Sequence, residues 1–163
     1  MLVRFTKAVP AAKGDLLTCV RLDGTRTQGE MTRQGILPHE AFHFVLESTM
    51  RWHDGFFGHL ARGAGLDELT AMLHGRSKGR SSNMTQALQS EALVDCLQSE
   101  QWAGATHPAD FAEKLVATCR RRSVAPPDIT PEELDRVRVA LREFGAQWRP
   151  LAPGASLERT FGP

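Results

Sequence analysis

The amino-acid sequence predicts a single α+β domain over residues 1–163, in which a small antiparallel sheet packs against four to five helices. Apolar and polar residues alternate in short segments near both ends of the chain, and such alternation is typical of half-buried strands. The middle of the chain carries apolar residues at three- and four-residue spacing, which indicates amphipathic helices. We therefore expect N-terminal hairpin strands and a C-terminal strand over 156–161 to form the sheet, with the helices between them.

Three strands are predicted near the start of the chain. Residues 2–7 alternate, and residues 16–22 form a second segment rich in Leu, Val, Thr and Cys. Asp23-Gly24 then predicts a hairpin with a type I′ turn. The third segment, 25–31, is polar, so we place it at an edge of the sheet, where charged side chains protect against aggregation. An edge strand could also accept an extended peptide by strand addition.

The predicted helices carry recognisable terminal residues. Pro38 suits the first position of the first helix, because its fixed φ fits a helix and its missing N–H would be unpaired there. Asn83 is a suitable N-cap for a helix that runs to about residue 102. Thr130 and Glu133 form a capping box before the last helix. The remaining helices are predicted over 65–74, 108–122 and 131–149, and a turn followed by a short helix that buries Phe56, Phe57 and Leu60 is predicted after the first helix.

Composition and charge exclude several classes of protein. A chain with 41% hydrophobic and 24% charged residues is typical of a globular domain. A net charge of +1 provides no overall attraction to nucleic acid or to an acidic membrane, so we expect neither as a partner. Cys19, Cys96 and Cys119 make an odd number with no close pair, which favours reduced thiols in a cytoplasmic protein. The charged N-terminus does not resemble a signal peptide, and no apolar run is long enough to span a bilayer.

The segment His39-Glu40-Ala41-Phe42-His43 is the stretch that suggests chemistry. His39, His43 and Glu47 are spaced four apart, so they share one side of a helix. That side borders the apolar stripe of the same helix, and we expect the histidines at the rim of the core. Two imidazoles one turn apart can bind a single zinc ion, and a glutamate after the first histidine can take a proton from a metal-bound water.

This His-Glu-x-x-His motif resembles that of the zincin metallopeptidases. The resemblance implies that His39 and His43 are zinc ligands and that Glu40 is the general base. The metzincin extension would require glycine at position 46 and histidine at position 49, where this chain has Leu46 and Thr49. The resemblance is therefore limited to the five residues 39–43.

A third ligand is needed to complete such a site. In the thermolysin-like group a downstream glutamate supplies it, with an aspartate four residues later, and Glu91 and Asp95 have that spacing. Glu47 is the second candidate that we favour. The other candidates are His53, Asp54 and His59.

The overall layout also resembles that of a group of small uncharacterised bacterial proteins. These proteins combine an N-terminal hairpin with a Leu-Pro-His-acidic-x-x-His helix and an aromatic-Gly segment, which residues 37–43 and 54–58 match here. The resemblance implies an architecture, but it does not imply an activity.

Two functional hypotheses follow from the sequence. The first is a zinc-dependent hydrolase or peptidase, whose ligand is an unidentified peptide or small molecule. Imidazole and carboxylate ligands also suit iron, nickel and copper. The second is a non-catalytic binding or protein-interaction domain in which the motif helix is structural, and the partner surface is the polar edge strand or the Phe56-Phe57 region. The sequence indicates no oligomeric state.

Overall fold

The computed structural model describes residues 1–31, 37–74, 84–103 and 107–162. Within these residues it contains a four-stranded antiparallel sheet and six helices, which confirms the α+β prediction. The strands are β1 (Leu2–Thr6), β2 (Asp15–Val20), β3 (Arg26–Met31) and β4 (Ser156–Thr160). The helices are α1 (His39–Met50), α2 (Phe56–Ala61), α3 (Leu66–His74), α4 (Thr85–Ala103), α5 (Pro108–Arg121) and α6 (Pro131–Trp148). The six helices exceed the four to five expected, and they include the predicted short helix that buries Phe56, Phe57 and Leu60, which is α2.

The sheet has the strand order β3-β2-β1-β4. The polar strand β3 therefore lies at an edge, as predicted, and β4 returns to pair with β1. Val3 pairs with Cys19 and Phe5 with Leu17, and all four side chains are fully buried on the face that the helices cover. The alternation in the sequence thus identified the face of the sheet that forms the core.

The loop between β2 and β3 is not the predicted type I′ turn, because only Gly24, at φ +83°, has positive φ and Asp23 does not. The N–H of Gly24 donates to the carbonyl of Arg21, and the N–H of Arg21 donates to the carbonyl of Thr25. This is a three-residue loop, in which a type I turn is followed by a left-handed glycine. The Asp23 carboxylate accepts both the N–H and the hydroxyl of Thr25, at 2.9 and 2.7 Å, and stabilises that loop.

Helix α1 is the centre of the domain and packs against α2, α4 and α6. Every residue from 41 to 47 is buried, so the helix has no exposed face over two turns. At the sheet side, the ring of Phe5 contacts those of Phe44, Phe57 and Phe144, with centroids 5.3–6.4 Å apart. Polar side chains on this part of α1 must therefore find their partners inside the protein.

The helix ends agree with the sequence in part. The Thr130 hydroxyl accepts the N–H of Glu133, and the Glu133 carboxylate accepts the N–H of Thr130, so the predicted capping box is confirmed. Pro38 is the N-cap of α1, and its carbonyl accepts the N–H of Ala41, so the helix begins one residue later than expected. The predicted cap at Asn83 lies outside the described residues.

Among the described residues, no helix combines the length and the apolar character that crossing a membrane requires.

Candidate metal centre

The four-residue spacing on α1 places the rings of His39 and His43 against each other, with centroids 4.8 Å apart. The His39 side chain is 15% exposed and lies at the rim of the core, as expected. His43 is fully buried, which corrects the expectation that both histidines lie at the rim. The reason is that α2 and α4 cover this side of α1.

Glu91, on α4, completes a group of three facing ligand atoms. The Nε2 atoms of His39 and His43 are 3.1 Å apart. Oε1 of Glu91 lies 3.1 Å from Nε2 of His43 and 3.7 Å from Nε2 of His39. Within the described part of the chain, these three residues form the group that could hold a metal ion.

The spacing of these atoms fits a small divalent cation. The point equidistant from the three atoms lies about 1.9 Å from each, just inside the roughly 2.0–2.1 Å of a zinc–nitrogen or zinc–oxygen bond. Ligand atoms at the corners of a zinc tetrahedron are about 3.3 Å apart at such bond lengths, close to the three distances observed. The three distances are therefore compatible with one ion bound by all three atoms.

Glu47 lies on the other side of the His43 ring and does not join this group. Its Oε1 is 3.3 Å from Nδ1 of His43, and the Ser90 hydroxyl contacts both atoms, at 2.9 Å from Nδ1 and at 2.8 Å from Oε1, to which it donates. The backbone N–H groups of Phe56 and Phe57 each donate to the Glu47 carboxylate at 2.8 Å. The predicted ligand Glu47 is thus outside the group and is positioned to accept a proton from Nδ1 of His43, whose Nε2 faces His39 and Glu91.

Gly55, the N-cap of α2, provides the space for that carboxylate. A Cβ atom at this position would lie 2.3 Å from Cδ of Glu47 and 2.6 Å from each of its oxygens. Any larger residue would therefore displace Glu47 from the N–H groups that bind it.

Two further contacts orient the other ligands. Nδ1 of His39 is 3.2 Å from Oε1 of Gln98, so a proton on Nδ1 leaves Nε2 available to a metal ion. Arg122 lies 3.4 Å from Oε2 of Glu91 and 2.6 Å from the Asp95 carboxylate. Oε1 of Glu91 is therefore the oxygen directed at the histidines, and the predicted partner Asp95 supports the arginine.

Without a metal, His43 and Glu91 form a buried ion pair. Burial by itself lowers the pKa of His43, but the charge of Glu91 and the hydrogen bonds to Glu47 and Glu91 outweigh it and raise the pKa to about 10. Burial by itself raises the pKa of Glu91, but the charge of His43 and the hydrogen bonds from both histidines hold that pKa well below its usual range. A divalent cation bound here would replace the proton on Nε2 of His43.

Glu40 is close enough to His39, His43 and Glu91 for their charges to affect the pKa of its carboxyl group. Burial raises the pKa of its carboxyl group, against a backbone hydrogen bond and the two histidines. Within the described residues, its Oε2 is buried and has no hydrogen-bond partner. A raised pKa makes the carboxylate form of Glu40 a stronger base beside the group that could hold a metal ion.

The site borders a cleft of about 640 Å³, a volume in the usual range for small-molecule sites. His39 and Glu40, both on α1, line this cleft, so the group is connected to solvent where these two side chains meet the cleft. Elements β3, α3, α4 and α5 form the rest of the lining.

The remaining sequence candidates lie outside the group. Asp54 is paired with Arg62 at 3.1 Å, and neither His53 nor His59 belongs to the group. Sequence reasoning missed Ser90, Gln98 and Arg122. Gln98 lies seven residues after Glu91 and so shares its face of α4, which is the one signal that could have found it.

Comparison with known proteins identifies no relative of the chain: no protein-family model, no curated protein and no solved structure matches it.

Proposed function

We propose that the protein is a metal-dependent hydrolase with a zinc ion bound by His39, His43 and Glu91. The observation that carries the proposal is the convergence of two imidazole Nε2 atoms and one carboxylate oxygen at 3.1–3.7 Å from one another. Three protein ligands of this kind leave the fourth position of a tetrahedral zinc ion for water, as in catalytic zinc sites.

Zinc suits this set of ligands best. Two imidazoles and one carboxylate are common in catalytic zinc sites, whereas calcium and magnesium prefer oxygen ligands alone. The hydrogen bonds of His43 to Ser90 and Glu47, and of His39 to Gln98, support such a site because ligating histidines need a partner on the second ring nitrogen.

Glu40 would act as the general base. Zinc lowers the pKa of its bound water to about 7, and a nearby carboxylate can then accept the proton as the water attacks the substrate. The buried, unpartnered oxygen of Glu40 and its place on the cleft support this role.

The first test is elemental analysis by mass spectrometry of the full chain, purified without a metal-affinity tag. We expect about one zinc ion per chain, and loss of it in the variants His39→Ala and His43→Ala. His53→Ala is the matched control, because this exposed histidine lies outside the group. A folded, metal-free protein that takes up no zinc on dialysis would falsify the proposal.

The second candidate function is a non-catalytic binding domain in which α1 is purely structural. The observation that favours it is that His43, through its ion pair with Glu91, and Glu47, through its four contacts, both have partners without a metal. One variant distinguishes the two candidate functions. If the site is catalytic, Glu40→Gln should still bind zinc but should no longer hydrolyse small amide and ester substrates.

The ligand is a peptide or small molecule, as the size of the cleft suggests. A cytoplasmic location remains a prediction from the sequence, and the three buried cysteines, all free thiols, are consistent with it.

A further inference from the structure

The cleft beside the metal group has walls of different charge. Helix α5 contributes Lys114 and Arg121, both exposed. Strand β3 and helix α3, which pack against each other, contribute Glu30 and Asp67, also exposed. Considering only the residues that the structure describes, none of these four side chains forms an ion pair.

Neighbouring charges in the cleft behave differently. Arg122 already forms ion pairs with Glu91 and Asp95. With the described residues Arg121 makes one hydrogen bond, from its guanidinium to the Thr118 hydroxyl, and this bond leaves its charge uncompensated. Lys114 and Arg121 are therefore the cations of the α5 wall that a ligand could pair with.

The arrangement selects against ligands of a single charge. An anion without a cationic group gains from Lys114 and Arg121 but is repelled by Glu30 and Asp67, and a cation meets the reverse. A small molecule with both charges, separated along its length, gains from both walls. Complementary charges of this kind determine specificity more than affinity.

From this distribution we infer that the substrate is a small zwitterion, which carries a carboxylate that Lys114 and Arg121 bind and an ammonium group that Glu30 and Asp67 bind. The inference rests on the proposed function, because it assigns the reacting bond to the middle of the molecule, beside the metal. The cleft volume of about 640 Å³ accommodates a ligand of this size.

The probe that tests this assignment is glycyl-N-hydroxyglycine, in which the hydroxylated peptide nitrogen and its carbonyl form a metal-binding hydroxamate between an ammonium and a carboxylate. Two analogues each lack one charge: the N-acetyl compound lacks the ammonium, and the carboxamide lacks the carboxylate. Binding of all three to the zinc-loaded full chain is measured by calorimetry. We expect each neutralised analogue to bind about three- to fivefold more weakly, as for exposed ion pairs.

Variants then assign each penalty to one wall. In Lys114→Met/Arg121→Met the carboxamide should bind as well as the parent probe, while the N-acetyl compound stays weaker. In Glu30→Gln/Asp67→Asn the pattern should reverse. Arg120→Met and Glu113→Gln are controls that each remove one charge, as the single variants Lys114→Met and Glu30→Gln do, since both residues are exposed on α5 and neither lines the cleft. If a double variant unfolds, Lys114→Met and Glu30→Gln make the same comparison singly.

Two outcomes overturn the inference and differ in what they say about the proposed function. Equal zinc-dependent affinity for all three compounds overturns the zwitterion assignment, but the metal site stands because the hydroxamate still reports it. No zinc-dependent binding of any compound overturns both.

Discussion

Replacing Glu47 by glutamine removes one charge and one acceptor from the centre of the domain and changes almost nothing in shape. The Glu47 side chain is fully buried and receives hydrogen bonds from the backbone N–H groups of Phe56 and Phe57 and from the Ser90 hydroxyl. The ring of His43 approaches from the fourth side. All of these neighbours direct hydrogen atoms at the carboxylate, and glutamine has a single acceptor oxygen to offer them.

The magnitude follows from the positions of these donors. If the amide oxygen of glutamine takes the place of Oε1, its NH2 group faces the N–H of Phe57, so one bond to a charged acceptor is lost and a donor is left unpaired. Such a change costs about 3 kcal/mol of the free energy of unfolding. For a domain of this length, that loss lowers Tm by roughly 6–12 °C. Zinc affinity should fall by about 10- to 100-fold, because Glu47 orients His43.

The free energy of unfolding is measured by urea denaturation of metal-free Glu47→Gln, and zinc affinity by competition with a chromophoric chelator. Glu143→Gln, an exposed residue on α6, is the matched control and should change stability by less than about 0.5 kcal/mol. If Glu47→Gln were as stable as this control and bound zinc as tightly as the wild type, the assignment of Glu47 as the partner of His43 would be wrong.

Three further predictions concern the same region. Gly55→Ala should destabilise the protein at least as much as Glu47→Gln in the same denaturation assay, because its Cβ would overlap the Glu47 carboxylate; an unchanged midpoint would refute this packing. Glu40→Gln should leave stability equal or slightly higher, since it replaces a half-buried carboxyl group whose buried Oε2 has no hydrogen-bond partner in the described structure; a large loss in Tm would mean that this oxygen does make a stabilising contact. In the metal-free protein the raised pKa of His43, about 10 against about 6.5 for a free imidazole, means that its stabilising contribution is complete below pH 6.5 and is lost as the pH rises towards 10. The Tm difference between wild type and His43→Gln in chelator should therefore shrink between pH 6 and pH 10, and a growing difference would reverse the sign of the pKa shift.

The fold was largely readable from local patterns. Alternation predicted the strands and their buried face, and the polar sequence of β3 predicted an edge. The turn type predicted after β2 was wrong because Asp-Gly fits two kinds of loop. The choice between them depends on the hydrogen bonds of the Asp23 carboxylate to Thr25. Such a side-chain contact is invisible in the dipeptide signal.

Only the part of the site that lies on one helix could be predicted from the sequence. Helical spacing predicted that His39 and His43 share a side, because that relation is local. Glu91 was one of several candidates for the third position, and only the packing of α4 on α1 distinguishes it from the others. Glu47 has the spacing of a ligand, yet the N–H groups at the start of α2 draw its carboxylate to the far side of the His43 ring. That competition depends on where the chain folds back at Gly55, which no periodicity encodes.

The three proposed ligands come from two helices, α1 and α4, that are far apart in the chain. A bound ion would therefore act as a cross-link between them, as a disulfide does between distant strands. Local opening of either helix would have to break bonds to the ion as well as side-chain packing. Amide hydrogens in α1 and α4 would then exchange with solvent together, as one cooperative unit, in the metal-bound protein, and as two separate units once the ion is removed.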